Sequence, residues 1–191
     1  MTMSSDLLNI RKQLTFYGAY HSHPVNVLIH VCCVPLIMWS FQVLAYDFPR
    51  PTFLPQVTYG TVQGLVWLAY YYALEPVAAL LYTPQAILSI LSANAFAQRA
   101  DHRHVALIVH VACWIAQFIG HGFAEGRSPA LLDNLVGALF LAPFFVHLEI
   151  LFWLGYRPTL YRQLQSDVGV EIAKFRKIEG DKKRAAERRT D

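Results

Sequence analysis

A helical bundle embedded in a lipid bilayer is the architecture this sequence predicts, and three observations carry it. The 191-residue chain is 55% hydrophobic and 15% charged, with a mean hydropathy of +0.33, whereas a soluble domain carries about 25% charged residues. The charges are also segregated. Eleven of the 149 residues from Gln13 to Tyr161 are Asp, Glu, Lys or Arg, against fifteen of the thirty from Arg162 to Asp191. Strand-type alternation is absent, and only helices or closed barrels satisfy their backbone groups in lipid. The fold class is therefore all-α, a polytopic bundle of about four to six membrane-embedded helices. An amphipathic N-terminal helix opens it and a basic C-terminal tail closes it. The expected organisation is an integral membrane domain over 1–165 and a polar basic tail over 166–191.

The elements follow in order. Leu7, Ile10, Leu14 and Tyr17 recur at helical spacing with Arg11 and Lys12 on other faces, which predicts a short amphipathic helix. Pro24 suits a first helical turn and starts a segment to Tyr46 that contains no Asp, Glu, Lys or Arg. Pro35 is expected to kink it. Asp47–Pro55, with three prolines, is a loop. Gln56–Leu74 and Pro76–Gln98 each approach the roughly 20 residues a span needs, and Thr83-Pro84 is expected to divide the second. A polar joint at Arg99–His104 precedes a fourth segment, Val105–Gly120. A polar loop, His121–Asp133, leads to a fifth, Asn134–Tyr156. Beyond Arg157, Val168, Ile172 and Phe175 mark an amphipathic helix, and Lys182-Lys183-Arg184 is expected to fray.

Several function classes are excluded at this level. The net charge of +3 comes from the tail, with no aromatic-interleaved basic patch, so no nucleic-acid partner is expected. Cys32, Cys33 and Cys113 are odd in number and lack metal-type spacing, which argues against disulfides and structural zinc. Met1–Phe16 has no continuous apolar run, so no cleavable signal peptide is expected. The positive-inside rule directs the basic tail to the cytoplasm. HExxH, GxSxG, the P-loop and GxGxxG are all missing, which leaves protease, esterase and nucleotide readings without support.

The histidines carry the chemistry. An imidazole at membrane depth usually marks a functional site, and imidazole is the commonest transition-metal ligand. Three crowd into Tyr20-His21-Ser22-His23-Pro24-Val25-Asn26-Val27-Leu28-Ile29-His30, where His23, Asn26 and His30 would share one helix face. A second group is Asp101-His102-Arg103-His104, with His110 beyond it. The third is Gly120-His121-Gly122, with Glu125 placed to orient the imidazole or join it. A lone His147 is the weakest candidate. If Val105–Gly120 is a straight helix, His102 and His121 stand about 28 Å apart and do not share one ion. Imidazoles without thiolate suit Fe(II), Cu or Zn.

The stretches Phe16-Tyr17, Tyr20–His30, Asp101-His102-Arg103, Gln117–Ala130, Leu132-Asp133-Asn134-Leu135 and Leu141-Ala142-Pro143-Phe144-Phe145 resemble the 2-hydroxy fatty acid dioxygenase family. The resemblance runs from about Leu7 to Leu164. It implies a multi-pass enzyme of the endoplasmic reticulum membrane that uses Fe(2+) and O₂ to convert a long-chain 2-hydroxy fatty acid to the acid one carbon shorter, in phytosphingosine degradation. It also implies metal and catalytic roles for His21, His30, His102 and His121, with His23 a neighbour. Arg127 is a candidate to hold the substrate carboxylate. Two rival readings stay open: a di-iron hydroxylase or desaturase-like oxidase, and a non-catalytic scaffold or transporter whose histidines join helices.

Overall fold

The computed structural model describes residues 7–126 and 135–188, with backbone alone at 135–138. Among these residues the elements are α1 (Ile10–Gly18), α2 (Pro24–Leu44), a short 3-10 turn (Ala45–Asp47), α3 (Tyr59–Leu74), α4 (Pro76–Phe96), α5 (His102–Ile119), a π turn (Gly120–Glu125), α6 (Leu135–Trp153) and α7 (Pro158–Glu187). Proline opens α2, α4 and α7, where its missing N–H is of no consequence. The Asn9 carboxamide caps α1 and the Thr58 hydroxyl caps α3.

The central helix is α2, which packs against α3, α4, α5, α6 and the π turn. Its buried side chains are largely polar: Asn26, His30, Ser40 and Gln42. They are matched by partners on other helices. Ser40 Oγ lies 2.9 Å from His110 Nδ1 on α5, and Gln42 Oε1 accepts from Ser89 Oγ on α4 at 2.8 Å. Such bonds fix helix pairing where lipid supplies no hydrophobic drive between helices. α3 approaches α2 closely because Gly60 has no side chain; a Cβ there would stand 2.8 Å from Gln42 Cα. A second core joins α3, α4 and α6. Tyr71 stacks on Phe144 at 4.5 Å, donates to the Phe140 carbonyl, and shares this core with Ala78 and Ala79 of α4.

The outer faces of α4 and α5 are apolar yet exposed. Leu80, Leu91, Ile108 and Ile115 all project outward, and Leu88 is 68% exposed. A band of that extent suits hydrocarbon rather than water. Three helical stretches are long and apolar enough to span, Pro24–Asp47, Pro76–Phe96 and His102–Glu125; α6 with α7, bent by 117° at their junction, makes a possible fourth. α3, at 16 residues, falls short of a span, so among the described residues the count is three, or four with the bent pair, against the four to six expected.

Three local expectations differ from the structure. Thr83-Pro84 does not divide α4: the helix continues, and Thr83 Oγ1 donates to Ala79 O while bonding Tyr72 OH of α3. The basic tail does not fray at Lys182-Lys183-Arg184 but stays helical to Glu187. α7 docks on α1, where Arg11 Nε meets Asp167 Oδ2 at 2.6 Å and holds that carboxyl below its ordinary pKa. Finally, the stretch after His121 begins as helix, not loop.

Gly60→Ala should destabilise the fold by about 1–3 kcal/mol, because its methyl group meets backbone. Gly169→Ala on α7 meets nothing within 4 Å and should be neutral or slightly stabilising. Thermal unfolding in detergent compares the two.

Candidate metal centre

Three histidines from three segments of the chain converge at the N-terminal end of α2. His21 lies in the short connection between α1 and α2, His30 in the second turn of α2, and His121 in the π turn after α5. Each is buried, with His121 only 2% exposed. Their ring centroids are 4.3, 4.8 and 4.9 Å apart pairwise, all steeply inclined. One potential ligand atom from each lies within 4.8 Å of the other two.

Local structure orients the rings. His21 Nδ1 donates to the Tyr17 carbonyl at 2.9 Å, and the Tyr17 ring stacks on the imidazole at 3.8 Å. His30 Nδ1 donates to the Asn26 carbonyl at 2.9 Å. With the proton assigned to Nδ1 in both, Nε2 carries the lone pair, the tautomer a metal ligand needs. Burial, and after it the neighbouring His30, lowers the His21 pKa well below the ordinary imidazole value. His121 is aimed by the π turn, whose extra residue per turn rotates the side chains that follow it; such turns recur at functional sites. Gly120 lets this turn press on α2, since a Cβ there would lie 2.6 Å from Asn26 Oδ1.

Glu125 closes the arrangement, in a role the sequence reading did not foresee. Its carboxylate neither orients His121 nor joins the cluster. It accepts from Ser22 N, Ser22 Oγ and His23 N at 2.8 Å each, and from Asn26 Nδ2 at 3.2 Å. These donors sit at the start of α2, where unpaired N–H groups and the helix dipole favour a negative charge. The signal available was an apolar helix beginning at Ser22-His23-Pro24 with no acidic cap of its own.

The other candidates fall elsewhere. His102 does not join the three. α5 runs unbroken from it to Ile119, so it stands about 28 Å of helix rise from His121. Its ring nitrogens are spent locally, Nδ1 on Arg99 O at 2.6 Å and Nε2 on Asp47 Oδ2 at 2.9 Å. His23 caps α2 through Val25 N. His110 bonds Ser40 and Trp114, and His147 packs edge-on against Tyr82. Arg127 lies outside the described residues.

Above the histidines opens a pocket with walls from Val34, Ile37, Met38, Trp67, Leu139 and Pro143. Neutral imidazoles without thiolate fit a borderline divalent ion such as Fe(II), Cu(II) or Zn(II), and three ligands leave positions open. The arrangement can hold one such ion at the polar end of an apolar pocket.

Glu125→Ala should cost more than the roughly 1.5–3 kcal/mol of one charge-assisted bond, because several donors lose their acceptor together. Ser22→Ala, which leaves the backbone donors paired, should cost less than half as much. Denaturation midpoints in detergent test the ratio.

No solved structure matches the chain. A curated relative, the 2-hydroxy-palmitic acid dioxygenase MPO1 of Saccharomyces cerevisiae, is 36% identical over 180 residues, covering 91% of this chain and 98% of the relative. The family model described as 2-hydroxy-palmitic acid dioxygenase Mpo1-like matches residues 7–154, which include all three clustered histidines and the Glu125 clasp. The chain belongs to the Mpo1-like family of 2-hydroxy-palmitic acid dioxygenases.

Proposed function

We propose that this protein is an Fe(II)-dependent dioxygenase of the endoplasmic reticulum membrane. It converts long-chain 2-hydroxy fatty acids to the acid one carbon shorter with O₂, within phytosphingosine degradation. One observation carries the reading: three buried histidines meet at the polar end of an otherwise apolar pocket inside a membrane bundle. Family membership supports the reaction class. Residues 1–165 form the dioxygenase domain, and 166–191 a basic tail on the cytoplasmic side.

The iron ligands are His21, His30 and His121. Bound iron would supply Lewis-acid and O₂-activating chemistry to a substrate held beside it. The chain's own residues do the rest. The Tyr17 and Asn26 carbonyls hold the proton on Nδ1 of His21 and His30 and keep Nε2 available. The apolar walls exclude water and receive the acyl chain, which passes from bilayer to pocket without leaving an apolar medium. The 2-hydroxyl and carboxylate give the substrate two adjacent oxygens with which to chelate. Arg127, two residues beyond Glu125, attracts the incoming carboxylate.

A di-iron oxidase would need a second ligand set, and among the described residues these three histidines form the one such group. We therefore favour a single iron.

Purified protein should contain about one iron per chain and convert 2-hydroxypalmitate to pentadecanoate in the presence of O₂. His30→Ala and His121→Ala should lose both iron and turnover. His102→Ala should retain both, because that side chain serves Asp47 at the far end of α5. Elemental analysis and product chromatography check these outcomes; unconverted substrate would return the scaffold or transporter reading.

A further inference from the structure

Gln117 lies one turn before His121 on α5 and lines the same pocket. It is only 7% exposed, and its side-chain nitrogen Nε2 is buried with no hydrogen-bond partner. Buried polar atoms of this kind are uncommon, and in a pocket they are groups reserved for a ligand. Tyr17 and Trp67 also line the pocket, but Gln117 is the side chain there with a buried amide nitrogen left unpaired. Val34, Met38, Phe118 and Pro143 are apolar, and the nearby Trp114 gives its indole N–H to His110 Nε2 at 3.0 Å.

The expected substrate has one more oxygen than chelation uses. A 2-hydroxy acid engages a metal through its hydroxyl and one carboxylate oxygen, and the second carboxylate oxygen still requires a donor. In an apolar pocket that requirement is strict. Residues four apart on a helix have Cβ atoms about 5–6 Å from each other, so Gln117 and His121 act on the same small headgroup. We propose that Gln117 is the carboxylate-anchoring residue: its Nε2 donates to the substrate carboxylate oxygen not engaged at the histidines. The assignment rests on reading the site as that of a 2-hydroxy acid dioxygenase. It makes acids, rather than long-chain diols with the same adjacent oxygens, the class selected.

The test uses the full-length protein in detergent with iron bound, under anaerobic conditions so that no turnover occurs. Trp67 and Trp114 line the pocket, so tryptophan quenching reports occupancy. 2-Hydroxypalmitate and hexadecane-1,2-diol are each titrated into the parent, Gln117→Met and Gln117→Glu. Gln117→Met keeps the volume without the donor and should weaken acid binding about tenfold or more, the effect of one hydrogen bond to a charged group. Diol affinity and iron content should stay at parent values. Gln117→Glu, which sets a carboxylate against a carboxylate, should weaken acid binding further. In air, KM for 2-hydroxypalmitate should rise in Gln117→Met by a similar factor, with a smaller change in kcat. Unchanged acid affinity in both variants, equal losses for acid and diol, or loss of iron would each overturn the proposal. A parent protein that fails to convert 2-hydroxypalmitate overturns the dioxygenase reading instead, so the two failures are separable.

Discussion

Everything at the centre of this protein depends on one carboxylate placed at the start of one helix. The first N–H groups of α2 have no partner within the helix, and the adjoining segment carries His21. Glu125 satisfies Ser22 and His23 from about a hundred residues away, and also bonds Asn26. The same side chain ends the π turn that holds His121. Fixing the connection that leads into α2 and assembling the histidines are therefore a single event. Gly120 completes the contact, because only a residue without Cβ admits the π turn so close to Asn26.

The membrane explains why the site is built this way. Inside lipid, a polar side chain must find a partner on another helix or face a cavity. α2 meets that demand along its length. Gln42 and Ser40 find α4 and α5, Asn26 finds Glu125, and His30 turns its remaining nitrogen toward two other imidazoles. The outer faces of α4 and α5 carry leucine and isoleucine into the surrounding phase. The pocket that holds the histidines is otherwise walled largely by apolar side chains.

Much of the architecture was legible in the sequence. Pro24 marked the start of α2, and Pro76 the start of α4, because an N-terminal proline acts locally. Pro84 was misread as a break, since its cost is met by tertiary packing that periodicity does not report. His121 was assigned to a loop because the stretch it opens, to Asp133, is polar. Flanking glycines weaken a helix on average, but here they admit a π turn against a neighbour. The crowding of His21, His23 and His30 marked that segment, while the resemblance kept His102 beside His121; helix length made the pair doubtful, and the unbroken α5 sets His102 apart from the three. Glu125 was noticed but given the wrong partner. Its true donors lie across the fold, and a single sequence gives no measure of which chain ends approach.

The claim that three histidines bind a single iron is tested most directly by X-ray absorption at the iron edge of the purified, iron-loaded protein. The account predicts a nitrogen and oxygen shell with the multiple scattering of three imidazoles and no sulfur. An iron–iron vector, or a shell lacking imidazole scattering, would contradict it.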